Sequence, residues 1–328
     1  MNTAPSLANL SELDEMAAEA ERIRDAALAR ANRKHRSIGI AEFLAMVIPA
    51  RPMLLEPWLP SQGLAMVHAY RGTGKTHVAL GIAVAVASGG KFLRWNASEP
   101  KGVLLLDGEM PAIALQERLA DIISNSEKEP TAPLRIITPD LQEIGMPNLV
   151  DLEGQHEIDL HLDDISLVIV DNISTLCRGG RENEGDSWLP VQEWALRLRA
   201  RGISVLFIHH SGKNGGQRGT SRREDVLDTV IGLRRPSDYS PDAGASFELH
   251  YEKARGCFGE SVKPFEASLQ DGQWLLKDLD DSTTEKVAAM LNDGCERRDI
   301  ADALGMHKSN VSRHEKKARD LGLLRGAL

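Results

Sequence analysis

The sequence has few cysteines and no long apolar run. Its three cysteines, Cys177, Cys257 and Cys295, lie far apart, so they form neither a disulfide framework nor a Cys-x-x-Cys metal site. No apolar run reaches the roughly 18 residues that a membrane span needs. The chain also does not open with a basic segment followed by an apolar one. We therefore expect a cytoplasmic protein with no membrane partner.

The chain also lacks an overall positive charge. Its net charge of −9 argues against a protein that coats nucleic acid with its whole surface, but it permits local basic patches. Hydrophobic residues make up 42% and charged residues 27% of the chain, which is an ordinary globular composition. Its 328 residues favour more than one domain.

Three regions of the chain differ in their residue pattern. Residues 1–38 are rich in helix formers, with acidic residues early and basic residues late, which predicts an N-terminal helical arm. The narrow apolar stripe of this arm fits docking on a neighbouring subunit or loose packing on its own core equally well. Residues 39–280 alternate β-branched strands with helices, which predicts an α/β domain with a mostly parallel sheet. Residues 281–328 are helical in pattern and predict a small all-α domain.

A phosphate-binding pattern follows the strand predicted over 64–69. It reads Ala69-Tyr-Arg-Gly-Thr-Gly-Lys-Thr76, with Ala69 in the place of the usual first glycine. The two glycines let backbone N–H groups point at phosphates, Lys75 supplies a mobile positive charge, and the Thr76 hydroxyl can coordinate Mg²⁺. The predicted cofactors are therefore ATP and Mg²⁺. The predicted nucleotide-binding residues of this loop are Arg71, Gly72, Thr73, Gly74, Lys75 and Thr76.

Two further strands end in carboxylates. The strand over 166–171 ends in Asp171, at the sheet edge where α/β domains bind ligands, so we predict that Asp171 holds Mg²⁺ beside Thr76. The strand over 103–107 ends in Asp107-Gly-Glu109. These two carboxylates can either polarise an attacking water or cap the helix that follows.

The order of these motifs resembles that of RecA-like P-loop ATPases. After the Asp171 strand come a strand ending in His209-His210 and a late strand ending in Lys253-Ala-Arg255. Over residues 39–280 the chain resembles the hexameric RepA helicases of mobilisable plasmids, although Ala69, the arm and the tail depart from that family. The resemblance implies that Glu109 is the general base, with Asp107 as a helper or cap, and that His210 senses the γ-phosphate. It also implies that Arg255, with Lys253 beside it, reaches into the ATP site of the next subunit of a hexamer.

The segment after His210 is rich in glycine and basic residues. Glycine keeps a loop flexible and cations bind a phosphate backbone, so we predict that this loop grips single-stranded DNA. The alternative is a solvated linker. The predicted DNA-binding residues are Lys213, Arg218, Arg222 and Arg223.

The tail predicts a helix-turn-helix. Helices over 298–304 and 308–320 flank a turn in which Gly305 allows a left-handed conformation. The start of the second helix would meet duplex DNA. The alternative is a helical hairpin that packs on the ATPase or on another protein. The predicted DNA-binding residues are Lys308, Ser309, Asn310, Ser312 and Arg313.

We therefore predict a DNA-dependent ATPase that acts as a ring-forming, helicase-like motor. The RepA resemblance implies a role in the replication of a plasmid or another mobile element. The main alternative is a sequence-specific DNA-binding regulator or recombination mediator in which ATP switches assembly. A small-molecule P-loop kinase is a further alternative, which the apparent DNA-binding tail disfavours.

Overall fold

The structure is a computed structural model that describes residues 36–179, 188–211, 221–236, 239 and 244–324, except for the side chains of residues 221 and 222. Residues 1–35, and with them most of the predicted arm, lie outside this description. The chain divides into two units, Met1–Ala50 and Arg51–Leu328. The described part of the first unit contains one short helix, α1 (Ile40–Ala45). No helix in the described ranges combines the length and apolarity that a bilayer crossing requires.

Thirteen strands are described in the second unit. They are β1 (Met53–Leu55), β2 (Leu59–Pro60), β3 (Leu64–Ala69), β4 (Lys91–Phe92), β5 (Trp95–Asn96), β6 (Gly102–Asp107), β7 (Leu134–Ile137), β8 (Ile165–Asp171), β9 (Ser204–His210), β10 (Thr229–Arg234), β11 (Ser246–Ala254), β12 (Phe265–Gln270) and β13 (Gln273–Asp278). The helices of this unit are α2 (Lys75–Ser88), α3 (Ala112–Ser124), α4 (Leu152–Asp159), α5 (Ile173–Leu176), α6 (Leu189–Ala200), α7 (Leu279–Asn292), α8 (Arg297–Ala303) and α9 (Lys308–Asp320).

Nine of these strands form one sheet, in the order β13-β12-β11-β10-β3-β9-β8-β6-β7. The six strands from β10 to β7 run parallel, and β11, β12 and β13 extend the sheet as antiparallel strands. The α/β class with a mostly parallel sheet is therefore confirmed. The parallel strands are continuous apolar runs because helices cover both of their faces.

The core lies on both faces of this sheet. Alternate residues of β3 point to opposite faces, so that Val67 joins one apolar cluster and Met66 the other. Helix α2 is buried along almost its whole length against the first cluster. Such a helix must be apolar on every side, and its sequence, KTHVALGIAVAVAS, is apolar after the first turn. This buried helix places its N-terminus at the carboxyl edge of β3.

The three C-terminal helices pack around a small core of Val287, Ile300, Ala301 and Val311. Helix α7 begins at Leu279, directly after β13 ends at Asp278, so it starts within two residues of the predicted boundary. Polar contacts also join the helix to the sheet. The Ser282 hydroxyl donates to the Glu266 carboxylate, and Lys286 lies 3.7 Å from that carboxylate.

Candidate functional site

The phosphate-binding pattern forms the turn between β3 and α2. Gly72 and Gly74 have positive φ angles of 72° and 104°, the left-handed region that glycine enters without strain. A Cβ atom on Gly72 would lie 3.2 Å from the Arg235 guanidinium, so this glycine also makes room for a neighbour. The loop therefore has the backbone geometry that its two glycines predict.

The Lys75 ammonium lies inside this loop. It donates to the carbonyl oxygens of Ala69 at 3.1 Å and of Tyr70 at 3.0 Å. Burial lowers the pKa of Lys75 to about 8, although Asp171 and Glu109 nearby oppose the shift. The side chain is therefore a desolvated cation whose present partners are only backbone carbonyls. A phosphate group could replace those partners.

Asp171, at the end of β8, is buried beside the loop. Burial and the neighbouring Asp107 raise its pKa to about 7, although Thr76 donates a hydrogen bond to it. Its Oδ2 atom has no hydrogen-bond partner, and neither does the buried Thr73 hydroxyl. Unpartnered buried oxygen atoms are costly, and oxygen donors are what Mg²⁺ prefers. Asp171 and Thr76 therefore suit a Mg²⁺ ion held with a nucleotide.

The two carboxylates after β6 have different surroundings. Asp107 is buried, and its Oδ1 accepts hydrogen bonds from the backbone N–H groups of Glu109 at 2.8 Å and Met110 at 2.7 Å. It therefore caps the turn. The side chain of Glu109 is about half exposed, and its Oε1 lies 3.5 Å from His210 Nε2. Burial and Lys75 lower the pKa of His210. Glu109 can thus reach water, while Asp107 shapes the backbone beneath it.

A cavity of about 670 Å³ joins these groups. Three residues at or near it were not found from the sequence. His77 and Arg118 line it, and Arg235 donates to the Arg71 carbonyl at 3.1 Å. Burial and Arg118 lower the pKa of His77 to about 4. His77 directly follows Thr76, so its position beside the motif could have indicated it, whereas strand and helix packing alone brings Arg118 and Arg235 to the loop. The cavity is lined by Arg71, Gly72, Gly74, Lys75, Thr76, His77, Glu109, Arg118, Asp171, Asn172, His210, Gly244 and Ala245.

Lys253 and Arg255 lie at the opposite end of the strands from the phosphate-binding loop. Leu233 of β10 pairs with Ala69 at the loop edge, whereas Thr229, at the start of β10, pairs with Ala254. From Leu249, opposite Leu233, to Ala254 the antiparallel β11 runs about 16 Å away from the loop. There Arg255 is exposed and donates to the Asp225 carbonyl at 3.1 Å. Lys253 donates to the Glu224 carbonyl. The structure therefore does not bring this pair to the cavity of its own chain.

The basic loop is described only at its ends. Lys213, Arg218 and the Arg222 side chain lie outside the described residues. Arg223 is buried, not presented on the surface as the DNA-binding prediction requires. Its guanidinium lies 3.2 Å from His209 Nε2 and 5.8 Å from the centre of the Trp188 ring. An aromatic face and an imidazole can hold a buried cation in place, which accounts for this correction.

The predicted DNA-binding residues of the tail are exposed at the start of α9, and Gly305 has the expected left-handed φ of 59°. Arg313 is paired, because its guanidinium donates to Asp280 Oδ1 at 3.3 Å. The Ser312 hydroxyl donates to the Lys308 carbonyl at 3.2 Å. Lys308, Ser309 and Asn310 are the exposed residues of the first turn of α9, where the Ser309 hydroxyl also lies 2.8 Å from His307 Nδ1.

Two comparisons with known proteins agree with this geometry. The AAA_25 family, described as an AAA domain, matches residues 30–216, which is more than half of the chain. The fold is similar to that of a KaiC-like protein from the hyperthermophilic archaeon Pyrococcus horikoshii OT3, with a TM-score of 0.50 and 13% sequence identity. That similarity covers 70% of this chain and 99% of the other. The chain belongs to the AAA_25 family and is a P-loop ATPase with a RecA-like core.

Proposed function

We propose that this chain is a Mg²⁺-dependent, DNA-stimulated ATPase that assembles head to tail into a ring, with six subunits, and moves along or remodels DNA. The resemblance to RepA helicases assigns it to the replication of a plasmid or another mobile element. The main support is the placement of charge on the sheet. The groups suited to ATP line a cavity at one edge, whereas Arg255 is exposed at the opposite edge.

At the cavity each residue would have a separate task. Lys75 would leave its two carbonyl partners to bind phosphate oxygens, as the backbone N–H groups of the loop also do. Thr76 and Asp171 would hold Mg²⁺, which would supply positive charge to the phosphates. Glu109 would accept the proton of the attacking water, and His210, in contact with it, would orient its carboxylate.

Arg255 can take part in this chemistry only through a second subunit. It is about 16 Å along β11 from the loop edge of its own chain, farther than an arginine side chain reaches. A permanently charged, planar guanidinium suits the γ-phosphate of a neighbour's nucleotide. Contacts between unlike edges of identical chains generate rings or filaments. A shared site therefore agrees with the proposed ring.

Two surfaces would bind DNA. The basic residues between His210 and Arg223 would contact single strands, and the first turn of α9 would contact duplex DNA as part of a helix-turn-helix. Strand displacement, together with ATP hydrolysis that single-stranded DNA stimulates, would support both DNA-binding surfaces.

The test compares two neighbouring carboxylates. Glu109→Gln should lower ATP hydrolysis by about 10²- to 10³-fold and leave nucleotide binding intact, since it removes only the base. Asp107→Asn should keep most of the activity, because its amide oxygen can still cap the turn. Phosphate release and strand displacement would be measured with and without single-stranded DNA. Full hydrolysis by Glu109→Gln together with loss in Asp107→Asn would reverse the assignment.

A mixing experiment tests the shared site. Lys75→Ala and Arg255→Ala should each be inactive alone. A mixture should regain activity where an intact Arg255 faces an intact Lys75 in the neighbouring subunit. Native mass measurement with ATP and Mg²⁺ gives the ring size. A monomer at every concentration, or no activity in the mixture, would contradict the shared site.

A second candidate function is a regulator or recombination mediator in which ATP switches assembly. The observation that favours it is the exposed first turn of α9 on a helix-turn-helix arrangement. Such a protein would bind one duplex sequence and oligomerise with ATP while hydrolysing it slowly. Slow hydrolysis that DNA does not stimulate, with tight binding to one duplex, would favour this candidate.

A further inference from the structure

A chain of hydrogen bonds crosses the sheet beside the loop edge, from the buried Ser211 and His68 to Glu252, whose side chain is 29% exposed. His68, on β3, is 2% exposed. Its Nδ1 lies 2.8 Å from the hydroxyl of Ser211, the residue that follows β9, and its Nε2 lies 2.9 Å from Glu252 Oε2 on β11. A carboxylate only accepts hydrogen bonds, so Nε2 donates to Glu252, and the second ring nitrogen, Nδ1, shares a hydrogen bond with the Ser211 hydroxyl.

Two backbone features make this chain possible. Strand β10 lies between β3 and β11, and its Gly232 leaves the gap through which Glu252 passes. A Cβ atom on Gly232 would lie 2.5 Å from Glu252 Oε1 and 3.4 Å from His68 Cε1. The pairing of β10 with β11 also shifts register at Val230 and Ile231, which leaves Glu252 as the extra residue of a bulge. A bulge redirects a side chain, here toward His68.

The chain of contacts ends at the proposed catalytic groups. The backbone N–H of Ser211 donates to the Ala69 carbonyl at 2.9 Å, the same oxygen that accepts from Lys75. The residue before Ser211 is His210, which contacts Glu109. Ser211 is therefore held from both sides, by Ala69 through its backbone and by His68 through its side chain.

We infer that the Ser211–His68–Glu252 chain is a positioning network that holds the end of β9 against the phosphate-binding loop, so that His210 and Glu109 stay aligned for hydrolysis. Its effect on rate rests on the proposed function. Its effect on the backbone does not. None of the three residues would touch the nucleotide, so the network should act on turnover and not on nucleotide affinity.

The test uses His68→Ala, Gly232→Ala and Ser211→Ala, with His250→Ala as the matched control. His250 also pairs with a glutamate on the same sheet, at 3.1 Å from Glu248, but in the described part of the chain that pair is not hydrogen-bonded to Ser211. The three variants should lower kcat by roughly fivefold to tenfold and leave the KM for ATP within about twofold. Glu252→Gln should stay near wild type, because its amide oxygen still accepts from His68.

Hydrogen exchange at the Ser211 amide gives a readout that is independent of activity. This amide should exchange at least about tenfold faster in the three variants and at the wild-type rate in His250→Ala. Ser211→Ala removes one hydroxyl only, so it remains informative if His68→Ala does not fold. Unchanged exchange in Ser211→Ala and Gly232→Ala, or equal losses in the control, would overturn the network. A wild-type protein that does not hydrolyse ATP would contradict the proposed function alone, and the exchange result would still decide the network.

Discussion

Two regions of the molecule differ in how their buried polar groups are hydrogen-bonded. One is the loop edge of the sheet, where the parallel strands end beside the phosphate-binding loop, and the other is the group of three C-terminal helices. At the loop edge, Asp171 Oδ2, the Thr73 hydroxyl and His210 Nδ1 are buried without a hydrogen-bond partner. In the described part of the tail, no buried side-chain polar atom is left in that state. There Glu315 accepts two hydrogen bonds from Arg297, at 2.5 and 2.9 Å, and Asp280 pairs with Lys317 at 2.5 Å.

This difference indicates where in each region a ligand would make its contacts. An unsatisfied buried polar group lowers stability by about 1–3 kcal/mol, so a fold keeps several together where a ligand can supply the missing hydrogen bonds. At the loop edge, the groups suited to a ligand are therefore buried inside the site. The buried polar side chains in the described part of the tail have hydrogen-bond partners, so the proposed DNA contacts would be made by exposed residues at the first turn of α9. The five predictions below test this contrast.

The largest effect is expected from Lys75→Ala. Lys75 is the one lysine among the described residues that line the cavity, and its ammonium lies inside the loop, whereas the Arg71 side chain is exposed. Its removal should therefore lower ATP hydrolysis by at least about 10²- to 10³-fold and weaken nucleotide binding. Phosphate release and binding of a fluorescent nucleotide measure both effects. Lys101→Ala, which alters a surface pair with Glu99, is the control. Duplex binding through the tail should stay unchanged in this variant, and its loss would remove the contrast between the regions.

Asp171→Asn should change how stability depends on pH. The folded pKa of Asp171, about 7, exceeds its ordinary value of 3.8, so the free energy of unfolding of the nucleotide-free protein should fall as pH rises between these values. The asparagine variant should lose this dependence, gaining on the order of 4 kcal/mol at pH 8. Denaturant unfolding at pH 5 and pH 8 measures it.

For Asp280, in the tail, we expect the free energy of unfolding to depend on pH in the opposite direction. Its pKa is lowered, chiefly by the hydrogen bond from Lys317, so its small contribution to stability is present above its ordinary pKa and lost as pH falls through the folded pKa. Asp280→Asn should therefore matter only above about pH 4. If both variants shifted stability in the same direction with pH, the two regions would not differ as described.

Ile300→Ala should unfold the tail selectively. The tail core has four buried apolar residues, and removing most of one side chain costs about 2–4 kcal/mol. Loss of the tail's exchange protection with retained ATP hydrolysis is the expected result. Ile113→Ala is the control, because Ile113 is exposed on α3. Simultaneous unfolding of the sheet would show that the tail and the sheet are one cooperative unit.

The smallest effect is expected from Asn310→Ala. Loss of a base contact should weaken binding to the preferred duplex by about 1–2 kcal/mol and relax sequence preference. Lys316→Ala, on the same helix, should weaken specific and non-specific binding alike, with a smaller salt dependence. Binding titrations at two salt concentrations separate these outcomes. Equal effects of both variants on preference would argue against base contact by Asn310.

Local patterns were enough to predict the central strands over 64–69, 103–107 and 166–171, and the loop and buried helix that follow the first of them. The glycines at 72 and 74, and the apolar run after Thr76, act through nearest neighbours, so their conformations follow from short segments. Sequence patterns could not predict that Arg223 is buried against Trp188, because an arginine in a glycine-rich segment is expected to be exposed. They also could not place Arg118 or Arg235 at the cavity.

The fold class, the phosphate-binding loop and the carboxylates at the strand ends could be read from the order of residues, since each depends on backbone preferences and on apolar periodicity. The order and direction of the strands in the sheet placed Arg255 at the end of the sheet away from the loop, and brought Asp171 beside Lys75 and Ser211 beside His68. The altered pKa values of Asp171 and Lys75 arise from desolvation and from neighbours far along the chain. Those quantities exist only once the strands have packed together.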